Sequence, residues 1–109
     1  MAGDWIQFVN DLKDDTGSLA KSELVGLITS TKSDAGDFVR KQAAKTERYL
    51  NQLAAGEITK EDFVQNMKNI QRLNEMQALK LSVAAKASAQ RLTMGIQNLI
   101  LDKLMNLIP

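Results

Sequence analysis

The chain has no cysteine and no histidine, one proline (Pro109) in 109 residues, six glycines, and five aromatic side chains, Trp5, Tyr49 and three phenylalanines. Each shortage excludes something. Without cysteine there can be no disulfide and no thiolate metal site. Without histidine, the Ser-His-Asp and Cys-His catalytic arrangements, the usual zinc sites and the Glu-x-x-His di-iron sites of helical bundles cannot be built. With so little proline and glycine there are few places for turns, and the composition points to an all-α fold. No stretch approaches the roughly 20 apolar residues that a membrane-spanning helix needs.

The remaining routes to chemistry are as thin. Ser18-Leu19-Ala20-Lys21 matches Ser-x-x-Lys in form, but the Ser-Asp-Asn and Lys-Thr-Gly partners are missing. The acidic stretch from Asp11 to Gly17 departs from a calcium loop: Lys13, Thr16 and Ser22 stand where a carboxylate, the glycine and the bidentate glutamate belong. No glycine-rich phosphate loop is present, and no two carboxylates sit among apolar neighbours that would raise a pKa. The expectation is a protein that is not an enzyme, with no cofactor, no metal and no small-molecule substrate. The N-terminus lacks the basic and apolar regions of a secretory signal. The expected setting is therefore cytoplasmic, intravirion, or exported without a cleavable signal.

What is present is an ordinary globular balance, 44% apolar and 25% charged with a net charge of +1. The length fits a single helical domain over residues 1–109. Charge is uneven: residues 1–58 carry 7 Lys/Arg against 9 Asp/Glu (−2), and residues 59–109 carry 7 against 4 (+3). The basic residues of 68–91 scatter around the helix axis and Trp5 and Tyr49 lie elsewhere, which argues against nucleic acid.

Apolar periodicity divides the chain into three segments. Trp5, Phe8, Val9 and Leu12 fall at helical spacing and define a short amphipathic helix at about 4–13. Asp4 can cap it, and Asp14-Asp15-Thr16-Gly17 ends it. In the second segment, about 18–55, one face carries Leu24, Ile28, Thr31, Ala35, Phe38, Gln42, Thr46, Tyr49 or Leu50, and Leu53. Its phase favours one continuous helix, whereas the poor helix formers of Ser33–Gly36 favour a break there. Gly56 occupies a left-handed C′ position, and Thr59 with Asp62 forms a short capping box, flanked by Ile58 and Phe63 as a hydrophobic staple. A three-residue connection between long helices predicts antiparallel neighbours, an αα-hairpin.

The third segment, about 59–107, holds a single glycine, Gly95, and no proline. As one helix it would be roughly 75 Å long, too long for this chain to cover. It carries two apolar stripes. One holds Phe63, Met67, Ile70, Leu81, Ala85, Leu92, Ile96 and Leu99; the other holds Leu73, Met76, Val83, Ala87, Met94, Leu101 and Met105. Two stripes call for two partners. The pattern predicts an elongated antiparallel helical hairpin (18–55 and 59–107), with the Trp5 helix folded on the overhang after Ile96.

The expected function is a structural or assembly protein that self-associates as a homo-oligomer, or joins a larger protein assembly. Its contacts would be made through Met76, Val83, Ala87, Met94, Leu101, Leu104, Met105 and Ile108. Two alternatives stand beside it. One is an adaptor or chaperone-like module that binds a different protein. The other is a membrane-surface protein acting through 96–108, although Lys103 is the one cation there.

Overall fold

The structure, a computed structural model, describes residues 5–11, 19–33 and 36–108. Among these residues there is no strand, only helix and short connections. The helices are α1 (Trp5–Asp11), α2 (Leu19–Lys32), α3 (Asp37–Ala54) and α4 (Lys60–Gln77). A 3₁₀ turn at Ala78–Lys80 leads to α5 (Val83–Gly95). This helix passes without interruption into a π-helical stretch, Ile96–Leu104, and a last α-helical turn, α6 (Met105–Leu107). The Asp4 cap, Leu12, the Asp14–Gly17 turn and Ser18 lie outside the described residues.

The α3–α4 connection forms as the sequence predicts. Gly56 takes φ +74. Around it Gly56 N–H donates to Leu53 O at 3.1 Å and Glu57 N–H to Gln52 O at 2.9 Å, the paired bonds of a Schellman ending. Thr59 Oγ1 then accepts from Asp62 N–H at 3.0 Å, and Asp62 Oδ2 accepts from Thr59 N–H at 3.3 Å. This reciprocal pair starts α4.

The elongated hairpin does not form, because both of its arms bend. The body measures 39 × 26 × 26 Å with a radius of gyration of 13.4 Å, close to the ~13 Å of a compact chain this long. The first arm breaks at Gly36, whose extended backbone (φ −81, ψ 122) starts α3; here weak helix propensity outweighs continuous phase. The second arm breaks after Lys80. Leu81 (φ −92, ψ 154) and Ser82 (φ −62, ψ 164) are extended, and Ser82 Oγ accepts from Ala85 N–H at 3.2 Å to cap α5.

Nothing local demands the second bend, since no glycine or proline lies near it. Folding back lets Leu92, Ile96, Ile100 and Leu104 become buried, each contributing about 1.5–3 kcal/mol. The bend gives up a few solvent-exposed backbone hydrogen bonds, at about 1 kcal/mol each. Burial is the larger effect, so the bent form is favoured within one chain.

The core gathers Trp5 and Val9 of α1, Leu24 and Ile28 of α2, Ala43 and Leu50 of α3, and Phe63, Met67 and Ile70 of α4. The α5 rod adds Leu92, Ile96, Ile100, Leu104 and Met105. The first helix does not cover a C-terminal overhang as expected. It packs against α3 and α2, with Trp5 N–H donating to Asn51 Oδ1 and Trp5 Nε1–H to Glu47 Oε2, both at 3.1 Å. Glu47 also receives Lys32 at 2.8 Å, tying the end of α2 to the same spot.

The α4 helix and the α5 rod run antiparallel, side by side. Lys60 Nζ donates to the Ile108 carbonyl at 3.2 Å at one end. Toward the other, Asn74 Nδ2 donates to Thr93 Oγ1 at 2.9 Å, and Gln71 Nε2 to Gln97 Oε1 at 3.3 Å. Asn74 Oδ1 accepts in turn from Gln42 Nε2 of α3 at 3.2 Å. Gln42 and Asn74 are both buried, and no buried side-chain polar atom among the described residues lacks a partner. This amide chain fixes the register of three helices.

Candidate interaction surface

The eight residues expected to form a contact surface separate into two groups. Met76, Val83, Ala87 and Met94 are exposed. Leu104 and Met105 are buried, and Leu101 and Ile108 are half-buried against the core. The last four are not free surface, and winding is part of the reason. At 100° per residue, Met105 would lie opposite Ile96. In the π stretch the backbone bonds from i to i+5, as Met105 N–H does to the Ile100 carbonyl, so each residue turns through less than 100°. The wider winding brings Leu101 and Met105 round toward the core side that Ile96 and Ile100 occupy.

The same segment bears on membrane contact. Ile96, Ile100 and Leu104 of 96–108 are buried in the core. Among the described residues no helix is long and apolar enough to cross a membrane, and no three metal-ligating side chains cluster.

What stays uncovered is concentrated at the α4–α5 bend. Leu79 is 88% exposed and Val83 87%, with Met76 at 66% and Met94 at 62%. Leu79 lies in the 3₁₀ turn, and Met76 one helical turn before it on α4. Val83, Ala87 and Met94 follow at spacings of four and seven, which place them on one face of α5. Leu79 was not singled out by periodicity, because in a straight helix it falls at the edge of the stripe.

Two open grooves of about 520 and 510 Å³ flank α5. The first lies toward α4, between Asn74 and Ala78 on one side and Ala89 and Thr93 on the other. The second lies toward α2, between Glu23 and Leu27 on one side and Arg91 and Lys103 on the other. Met94 lines both. It is thus a flexible apolar ridge between two concave strips, and a methionine adapts its shape to what it meets. The surface can bury apolar area; it presents no nucleophile held by a base.

No protein-family model, curated protein or solved structure matches the chain.

Proposed function

We propose that the chain is a non-enzymatic assembly protein that associates with further copies of itself through Met76, Leu79, Val83, Ala87 and Met94. One observation carries this reading. Of the five large apolar side chains exposed among the described residues, four fall within Met76–Met94, and the fifth, Ile6, is the least exposed. Leaving Leu79 and Val83 in water forgoes about 1.5–3 kcal/mol apiece, and association recovers it. Exposed apolar clusters of this kind mark contact surfaces.

The test is the mass in solution across a range of micromolar concentrations, by light scattering or sedimentation. Self-association is expected, and Leu79→Glu with Met94→Glu should abolish it while circular dichroism stays helical. A stable monomer at every concentration sinks the reading. If that monomer instead captures a different protein from its native host, the surface serves an adaptor.

A further inference from the structure

We infer that the Ala78–Ser82 bend is a hinge, and that two copies of this chain pair by straightening it and exchanging their α5 rods. The inference rests on the self-association reading and specifies its mechanism.

The first ground is the make-up of the bend. From Gln77 to Lys86 the sequence is Gln-Ala-Leu-Lys-Leu-Ser-Val-Ala-Ala-Lys. Alanine, leucine, lysine and glutamine are strong helix formers, and neither glycine nor proline interrupts them. A bend made of helix-forming residues is held by what packs on either side of it. Among the side-chain hydrogen bonds of the described residues, its one local support is the Ser82 cap on Ala85 N–H. Straightening would also give the free carbonyls at the end of α4 and the free N–H groups at the start of α5 each other as partners.

The second ground is phase. The buried positions of α4 are Phe63, Met67, Ile70 and Asn74; after the bend Ser88, Ala89 and Leu92 are buried and Leu81 and Ala85 half-buried. On a straight helix at 100° per residue all nine fall in a band about 100° wide. The bend therefore adds little rotational offset. A straightened rod presents both halves of its core face on one side, and each half finds the surroundings it has now.

The third ground is the symmetry of the α4–α5 seam. The contacts Lys60–Ile108, Gln71–Gln97 and Asn74–Thr93 all join residues nearly equidistant from Val83–Ala84. Two straight helices lying antiparallel, with their two-fold axis at that point, would make every one of these bonds between chains. No contact of the seam is lost by the exchange. Only the bend disappears, and Leu79 and Val83, the most exposed large apolar side chains among the described residues, come to lie beside that axis. Exchange of an identical element in this way is a low-cost route to a dimer.

Because the chain has no cysteine, Lys68→Cys with Asn98→Cys gives two clean sites for spin labels; both positions are exposed. The doubly labelled chain is unfolded, mixed with a large excess of unlabelled chain, refolded, and separated into monomer and dimer. In the bent chain the labels sit on neighbouring helices, about 10 Å apart at their axes. In a straightened chain they lie thirty residues apart, about 45 Å. The long distance is expected in the dimer alone.

Two variants act in opposite directions. Val83→Pro fits the first position of α5, where the N–H has no helical acceptor and Ser82 is already extended. It cannot be accommodated inside a straight helix, so it should abolish the dimer and leave a folded monomer. Ser82→Ala removes the cap and should favour the dimer by about fivefold for each chain that opens. A dimer that keeps the short distance, or a Val83→Pro chain that dimerises as the parent does, overturns the hinge but leaves self-association standing. A monomer at every concentration overturns both.

Discussion

Asn74 donates to Thr93 Oγ1 across 2.9 Å while its own oxygen accepts from Gln42, so one buried side chain joins three helices. Asn74→Ala leaves the Gln42 amide buried without its acceptor. The expected loss is about 2–3 kcal/mol in urea unfolding, more than a single hydrogen bond contributes net. Replacing both, as Gln42→Leu with Asn74→Leu, should recover much of that loss, because the orphaned group is gone. The double variant should show a less unique helix register, read as broadened amide resonances.

Gly95 of α5 faces Leu27 of α2. A methyl group added there would overlap Leu27 Cδ2 and crowd Cγ at 3.2 Å. Gly95→Ala gains about 1 kcal/mol of helix propensity but meets an overpacking cost of about 1–3 kcal/mol. A net loss of up to about 2 kcal/mol is expected in thermal or urea melts. In a Leu27→Ala background the same substitution should turn neutral or stabilising, which identifies Leu27 as the obstacle.

Thr59→Ala removes one half of the capping box that starts α4. The expected cost is about 1 kcal/mol, and Asp62→Ala should cost a similar amount. The double variant should cost less than the sum, since each side chain holds the other's backbone donor.

Leu79 and Val83 contribute almost nothing to the folding of one chain, being 88% and 87% exposed. Leu79→Glu and Val83→Glu should each leave monomer stability within about 0.5 kcal/mol. Val83→Glu places a negative charge at a helix start, which adds a small favourable term. A strong effect on association with none on the melt identifies an interface residue.

Trp5 is the one tryptophan of the chain, and its side chain is 1% exposed with Nε1–H on Glu47. Its emission should be short-wavelength in the native state and shift red on unfolding. Glu47→Ala should lower stability by about 1–2 kcal/mol, and a red shift ahead of the circular dichroism transition would show α1 undocking first.

The parts of the fold legible in the sequence are those set by local chemistry. Gly56, Thr59 and Asp62 specify a turn and a helix start by themselves, and the structure has both. The all-α class follows from the scarcity of proline and glycine. The bend at Ala78–Ser82 was not legible, since Ala78, Leu79 and Leu81 favour helix and only burial of residues twenty positions away opposes them. Leu101 and Met105 depart from the pattern for a related reason. At α-helical pitch they fall away from the core face, and nothing in Ile96–Leu104 announces a wider winding. Of the contact surface, Met76, Val83, Ala87 and Met94 were visible as a second stripe, because a stripe opposite a core face is exposed whether the rod is straight or bent.

Apart from Lys60 Nζ on the Ile108 carbonyl at its far end, the seam between α4 and the α5 rod is made of neutral groups: the amides of Gln71, Asn74 and Gln97 and the hydroxyl and carbonyl of Thr93. An ion-pair seam would weaken as salt screened it, and one containing histidine would change charge near neutral pH. Amide bonds do neither, and the chain has no histidine anywhere. The register of these two helices is thus insulated from ionic strength and from mild acidification. A seam of this kind serves equally well within one molecule or between two, in whatever solution the protein meets.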